Sequence, residues 1–505
     1  MTTDLTASSA YATDHSTWES DDLIPPDGGP GSAWDLVVVG GGTAGLVAAK
    51  TAAGFGASVL LVERDRIGGD CLWTGCVPSK ALLSAAHAAA EARTASRYGV
   101  HVASLTVDFP AVMAHVREAI AAIEPTDSPA AMRAAGVSTA HGSARFTGPN
   151  EVAVDGVPVR FRQALIATGA APVVPPIPGL AQAGPLTNES VFGLTRRPGR
   201  LLVLGGGSIG CELGQAFARL GATVTIVEAA ARLLVREDPD AADLVTRALV
   251  ADGVEVRTGV AVAEVHPDGE AWSAVLADGC EIGFDTVLVA VGRRPRTSSL
   301  GLEIAGVDVD QRGFVCVDAR LRTTNRRIWA AGDLTGHPQF THTAGVHGSL
   351  AASNAILGLR RRVDLSSIPR VTFTQPEVAA VGVSGENAKA WGLVVRTVTH
   401  DEVDRAIAEQ QTAGFSRLAL DGKGRVVGAT IVSPRAGESL AEAVLAIRHG
   451  LRARDLAAAT HTYPTYSDGL WKAAIAEVQV QLSMGVTRRA TRVMTAVRRS
   501  TLRSR

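Results

Sequence analysis

Asp35-Leu36-Val37-Val38-Val39-Gly40-Gly41-Gly42-Thr43-Ala44-Gly45 decides the fold. Four apolar residues, three of them β-branched, read as a short strand buried on both faces. The run breaks at Gly40, where the chain turns sharply, and an alanine-rich helix follows. Four glycines interrupt the apolar stretch from Leu36 to Ala49, so it reads as strand, turn and helix rather than a membrane span. Backbone N–H groups at the start of such a helix face an anion, and a pyrophosphate suits this turn. A second strand, Ser58-Val59-Leu60-Leu61-Val62-Glu63, ends on a carboxylate placed to accept hydrogen bonds from ribose hydroxyls.

The pattern recurs as Leu201-Leu202-Val203-Leu204-Gly205-Gly206-Gly207-Ser208-Ile209-Gly210, followed by Thr223-Val224-Thr225-Ile226-Val227-Glu228. Gly40 precedes Glu63 by 23 residues, and Gly205 precedes Glu228 by the same 23. One glycine turn says little. Two complete strand–turn–helix–strand–acid units at one spacing point to two dinucleotides. Gly40, Gly42, Gly45 and Glu63 are the candidate ligands of the first, and Gly205, Gly207, Gly210 and Glu228 those of the second. A carboxylate at Glu228 suits a free ribose 2′-hydroxyl and repels a 2′-phosphate, which favours NADH over NADPH if the nucleotide is a nicotinamide one. Arg232 nearby would soften that preference.

Between the units stands Gly68-Gly69-Asp70-Cys71-Leu72-Trp73-Thr74-Gly75-Cys76-Val77-Pro78-Ser79-Lys80. Five residues of ideal helix rise about 7.5 Å, beyond the usual disulfide Cα separation of about 4.4–6.8 Å. A bridge between Cys71 and Cys76 therefore requires a distorted helix, and Gly68, Gly69 and Gly75 supply the freedom. Pro78 is tolerated only in a first helical turn. A thiolate near a helix N-terminus has a lowered pKa. A zinc half-site, or two unrelated core cysteines, are the competing readings. Zinc needs further ligands at suitable spacing, and none is evident.

The chain has 505 residues, 46% apolar and 20% charged, enough for several domains with sizeable cores. A formal net charge of −1 gives no reason to expect a nucleic-acid partner for the body. Residues 1–32 carry Asp4, Asp14, Glu19, Asp21, Asp22 and Asp27 with no Lys or Arg, and read as a disordered acidic tail without a signal peptide. Five cysteines, an odd number, do not suggest a secreted disulfide scaffold, and a cytoplasmic location follows by default. Cys211, Cys280 and Cys316 are isolated and read as structural.

These motifs, over roughly residues 33 to 480, resemble the class I flavoprotein disulfide reductases, which include dihydrolipoamide dehydrogenase, glutathione reductase and mercuric reductase. The resemblance implies that the first unit binds FAD and the second a nicotinamide nucleotide. Ala140-His141-Gly142, Ala167-Thr168-Gly169 and Ala331-Gly332-Asp333 match flavin-domain segments, which adds Gly142, Thr168, Gly169 and Asp333 to the candidate cofactor residues. Gly292, in Val291-Gly292-Arg293-Arg294-Pro295, resembles the loop returning from the nicotinamide domain. By the same resemblance Cys71 meets substrate, Cys76 faces the flavin, and Lys80 lies by the flavin ring paired with Glu212.

The implied fold is α/β. Two Rossmann-like domains bind FAD (33–185 and 297–368) and NAD(P) (186–296), and an α+β dimerisation domain (369–483) follows. Ala441 to His449 reads as a helix within it. The chain departs from the thiol-handling members where they carry His-Pro followed by Glu. His461-Thr462-Tyr463-Pro464-Thr465-Tyr466-Ser467-Asp468 places Tyr463 at the histidine position and Asp468 at the acid position. A phenol with pKa about 10 is a poor base at neutrality. His461 would replace it only if the backbone bends, and otherwise is a packing residue.

Cys71-Leu72-Trp73-Thr74-Gly75-Cys76 and Arg236-Glu237-Asp238-Pro239 look closer to the mercuric-reductase branch. The last cysteine, however, is Cys316, where that branch carries a C-terminal cysteine pair. The expected enzyme is a homodimer moving electrons from NAD(P)H through FAD and the dithiol to a small disulfide or a soft metal ion. A dihydrolipoamide dehydrogenase, a quinone-type flavin reductase and a non-catalytic flavoprotein are the alternatives. Finally, Val486 to Arg505 holds seven arginines and no acids, with Val486, Ala490, Val493, Met494 and Val497 at helical spacing. That tail (484–505) is either a solvated or dimer-packed helix or one that makes weak contact with an anionic membrane surface.

Overall fold

The computed structural model describes residues 23–25, 28 and 32–503; the side chains of residues 486 and 503 are excepted. The six acidic residues of the N-terminal tail lie outside the described residues. The chain divides into two compact units, residues 1–231 with 252–363 and residues 232–251 with 364–505.

In the first unit, Ala33–Val39 pairs in parallel with Val59–Glu63 on one side and Val157–Ile166 on the other. Val137–His141 extends the parallel run, Ile328–Ala330 joins Val157–Ile166 in parallel, and Glu151–Val154 and Ala144–Gly148 complete the sheet antiparallel. Period-two alternation explains why the first strand is apolar throughout. Val37 and Val39 enter the core containing Trp34, Phe146 and Phe161. Leu36 and Val38 enter the core beneath the helices Thr43–Gly54 and Thr341–Leu357. The second nucleotide motif builds a four-stranded parallel sheet in the order Glu255–Thr258, Thr223–Glu228, Arg200–Leu204, Thr286–Val289.

The second unit is an antiparallel sheet in the order Pro369–Thr372, Glu377–Gly382, Val426–Ser433, Phe415–Leu420, Val394–Thr399. Helices Ala441–His449 and Asp468–Ser483 pack on it over one apolar core. The first of these helices has the bounds expected from sequence. Residues 232–251, which lie within the segment 186–296, group with this sheet and share a buried polar cluster with it. Asp238 accepts hydrogen bonds from Arg417 at 3.0 Å, Thr430 at 3.1 Å and the Gly385 amide at 3.0 Å, and Arg370 pairs with Glu237 at 2.8 Å. Among the described residues no helix is long and apolar enough to cross a membrane.

Candidate functional site

The two glycine turns are near-copies. Gly40 and Gly205 have φ of +109° and +106°, a region that only glycine enters freely. A Cβ on Gly45 would stand 1.9 Å from the Gly40 carbonyl oxygen, and one on Gly210 the same 1.9 Å from that of Gly205. Each acid braces its own turn. Glu63 accepts from Gly41 N at 2.5 Å and Asp65 N at 2.8 Å; Glu228 accepts from Gly206 N at 2.6 Å and Ala230 N at 2.8 Å.

Neither helix start has a side-chain cap among the described residues. A Cβ on Gly207 would enter open space, and one on Gly42 would meet only the Gly69 Cα, at 3.9 Å. Uncapped N–H groups beside a space that a side chain would fill fit a pyrophosphate. Gly142 donates its amide to the Glu63 carbonyl at 2.8 Å, Thr168 donates its hydroxyl to the Arg296 carbonyl at 2.8 Å, and Gly169 has φ +68°. Gly292 closes the return loop by accepting from Val173 N at 3.0 Å.

The dithiol segment lies against the first turn. A Cβ on Gly69 would stand 2.6 Å from the Gly42 Cα, so glycine is needed for this approach. The helix Gly69–Trp73 stops, Thr74 and Gly75 break it, and the helix Cys76–Thr94 starts anew. A Cβ on Gly75 would clash with the Asp70 carbonyl oxygen at 2.7 Å. This is the distortion that the sequence demanded. Cys71 and Cys76 end within hydrogen-bonding reach of each other, on separate helices.

The two thiols are not equivalent. The Cys71 hydrogen bond is the largest influence on Cys76 and holds its pKa down at about 6. Burial opposes this, while the Thr341 hydroxyl, 3.1 Å from Cys76 Sγ, and the Lys80 charge reinforce it. Cys76 also opens its helix, where the backbone dipole favours an anion. Cys71 is pushed the other way by its neighbour and by burial, so it keeps the proton. Thr341 stands within hydrogen-bonding reach of both sulfurs. Lys80 Nζ donates to Glu212 Oε2 at 2.9 Å.

Arg293 forms a close ion pair with Asp70, donates to the Ala170 carbonyl at 2.7 Å and lies 3.8 Å from Asp333. Burial raises the Asp333 pKa against that guanidinium. Of the remaining cysteines, Cys211 is buried and donates to the Gly206 carbonyl at 3.4 Å. Cys280 is half-buried and Cys316 exposed.

In the second unit, Tyr463 and His461 go to separate partners and the Asp468 carboxylate joins neither. Tyr463 is exposed and donates its hydroxyl to Asp404 Oδ2 at 2.5 Å; that bond raises the phenol pKa. Asp468 is buried, and its carboxylate has no side-chain hydrogen-bond partner among the described residues, only the Thr465 backbone nearby. Burial raises its pKa. His461 has both ring nitrogens engaged, Nε2 with Glu442 at 2.7 Å and Nδ1 with the Ala459 carbonyl at 3.0 Å, and its ring stacks on Trp471. These partners differ from that of the Tyr463 hydroxyl, which goes to Asp404.

Sequence reasoning missed Thr341 and Asp404. Both are single polar residues without a motif, 265 and 59 positions from the atoms they bind.

Residues 34–348 match the family described as pyridine nucleotide-disulphide oxidoreductase, and residues 368–474 match its dimerisation domain. A mercuric reductase from Streptomyces lividans is 39% identical over 455 residues, covering 88% of this chain and 96% of that protein. A dihydrolipoyl dehydrogenase from Chlamydia muridarum is 32% identical, covering 90% and 99%. Among solved structures, the Cu(II) complex of the HOCl-induced flavoprotein disulfide reductase RclA from Escherichia coli aligns with a TM-score of 0.79 at 29% identity. It covers 88% of this chain and 99% of that one.

Proposed function

The chain belongs to the pyridine nucleotide-disulphide oxidoreductase family, and from that membership we propose that it takes electrons from NADH and delivers them through Cys71 and Cys76 to a small disulfide or a soft metal ion. The family assignment makes it an FAD-containing oxidoreductase with a redox-active disulfide, and the dimerisation domain fits a homodimer. Bound FAD supplies the two-electron link between nicotinamide and disulfide. A cytoplasmic setting belongs to the same proposal, since the NADH that regenerates the dithiol in each cycle must be supplied there.

The observation that carries the reading is the pair of unequal sulfurs on a broken helix against the first glycine turn. In the reduced pair Cys76 holds the negative charge, stabilised by Thr341, Lys80 and the helix start. Cys71 holds the proton and is assigned to meet the acceptor. Once that proton is lost, its thiolate attacks one sulfur of the substrate disulfide and expels the other as a thiolate. The Cys76 thiolate then attacks Cys71 Sγ of the mixed disulfide, re-forms the Cys71–Cys76 bond and expels the second substrate thiolate. A soft metal ion takes both sulfurs as ligands and displaces the proton itself; passing two electrons to the ion releases it reduced and leaves the sulfurs joined as the Cys71–Cys76 disulfide. That route needs no strong base, in keeping with a phenol at 463 that Asp404 keeps protonated. The test is an anaerobic NADH titration followed by an acceptor panel of Hg(II), small disulfides, lipoamide and quinones. Turnover with quinones alone would defeat the proposal.

Charge on Cys76 is separately measurable. Its alkylation by iodoacetamide in the reduced protein should rise with pH through about 6. Thr341→Val should move that midpoint upward by removing a donor to the thiolate; an unchanged midpoint would show that the hydroxyl does not stabilise it.

NADH preference is part of the proposal. Arg232 is committed to the carbonyls of Leu234, Val235 and Glu237 at 2.9, 3.1 and 3.0 Å, which leaves little of its guanidinium for a 2′-phosphate. The ratio of kcat/KM for NADH over NADPH should exceed about tenfold, and Glu228→Ala should narrow it. Equal use of both nucleotides by the unaltered enzyme would reverse this assignment.

A further inference from the structure

The helix Gly485–Arg503 begins beyond residue 474, where the match to the dimerisation domain ends. We propose that this helix is an interfacial anchor that lies on an anionic lipid bilayer. At 3.6 residues per turn, Ala490, Val493, Met494 and Val497 fall on one face. Val493, Met494 and Val497 are 62%, 62% and 57% exposed, so their own chain leaves this face uncovered. Arg488, Arg492 and Arg499 occupy the opposite face, with Arg489 and Arg498 at its flanks. No acidic residue occurs from Val486 to Arg505.

Two features select the occupant. Seven arginines without a compensating acid call for an anionic partner. A second copy packed on the apolar stripe would leave Arg488, Arg492 and Arg499 without an anionic partner and set the flanking Arg489 and Arg498 against their like. Nucleic acid would satisfy the arginines but has no use for an exposed stripe of Val and Met, whereas a bilayer takes both faces at once. The helix is about 28 Å long but carries too many charges to cross, so it lies in the headgroup plane. Its apolar stripe is narrow and holds no aromatic side chain, so insertion is shallow and attachment depends on lipid charge.

The test uses FAD-loaded full-length protein and co-sedimentation with phosphatidylcholine vesicles containing about one third phosphatidylglycerol. The protein should pellet with these vesicles and stay in solution with pure phosphatidylcholine. Raising salt to about 1 M should release it. The double variant Val493→Asp/Val497→Asp should bind about tenfold more weakly, with NADH oxidation and dimer mass by light scattering unchanged. The triple variant Arg488→Gln/Arg492→Gln/Arg499→Gln should lose binding similarly, which guards against a folding defect in the first. Recovery in the supernatant with both vesicle types overturns the proposal. So does full vesicle binding by the double variant. A change in its dimer mass would make the face a subunit contact, and binding to a DNA duplex but not to vesicles would make the helix a nucleic-acid element.

Discussion

Cys71→Ser is expected to lower turnover of disulfide and soft-metal acceptors by on the order of 10³-fold or more, because the exchange step has no substitute nucleophile. Cys76→Ser should cost as much, since a lone Cys71 has no neighbouring sulfur with which to close a disulfide. Both side chains are half-buried and serine is slightly smaller, so the fold should survive either change. The variants differ in a second readout. Cys71→Ser keeps a hydroxyl beside Cys76, so Cys76 should still alkylate readily at neutral pH. Cys76→Ser removes the charged sulfur and with it the leading cause of the raised Cys71 pKa, so Cys71, held up by burial, should alkylate with a midpoint well above that of Cys76 in the parent. NADH oxidation with a quinone, if it occurs, should pass through both variants unaltered. Retention of disulfide or metal turnover by Cys71→Ser, to within a small factor of the parent, would remove the dithiol from the mechanism.

What the sequence reveals follows from where the physical demand falls. Gly40, Gly45, Gly205 and Gly210 are legible because backbone contacts exclude any side chain there, and the exclusion repeats at a fixed spacing. The broken helix between Cys71 and Cys76 is legible because disulfide geometry cannot be met on an intact one. Thr341 is illegible. Its contact with Cys76 exists only because the helix Thr341–Leu357 is packed against Thr43–Gly54, and a threonine at a helix start has many other uses. The grouping of residues 232–251 with the second unit is hidden likewise. Asp238 and Arg417, 179 positions apart, look like ordinary surface charges until the fold buries them together. Glu442, which engages His461, is one of many acids on exposed helix faces. Local backbone constraint leaves a trace in composition; a long-range pair of common polar residues does not.

Tyr463→His should raise dihydrolipoamide oxidation by about 10²-fold, within the range ascribed to a positioned general base. The parent residue is badly suited to that role. Its hydroxyl is the donor to Asp404, and the carboxylate raises the phenol pKa further above neutrality. An imidazole, with an ordinary pKa near 6.5, is neutral and able to accept a proton at about pH 7–8. The gain should therefore be full above that pKa and fade as pH falls through it, because the protonated ring cannot accept. Asp404→Asn in the parent removes the charge that raises the phenol pKa, but leaves the pKa far above neutrality; its effect should be small. Asp468 offers the sharper check. Its buried carboxylate has no side-chain hydrogen-bond partner among the described residues, and Tyr463→His is expected to supply one. Pairing would draw the raised Asp468 pKa down and lift that of the imidazole, so Tyr463→His/Asp468→Asn should lose most of the gain and shift the pH midpoint lower. If Tyr463→His leaves dihydrolipoamide oxidation unchanged across this pH range, position 463 does not stand where a base is needed, and the acceptor must be sought without it.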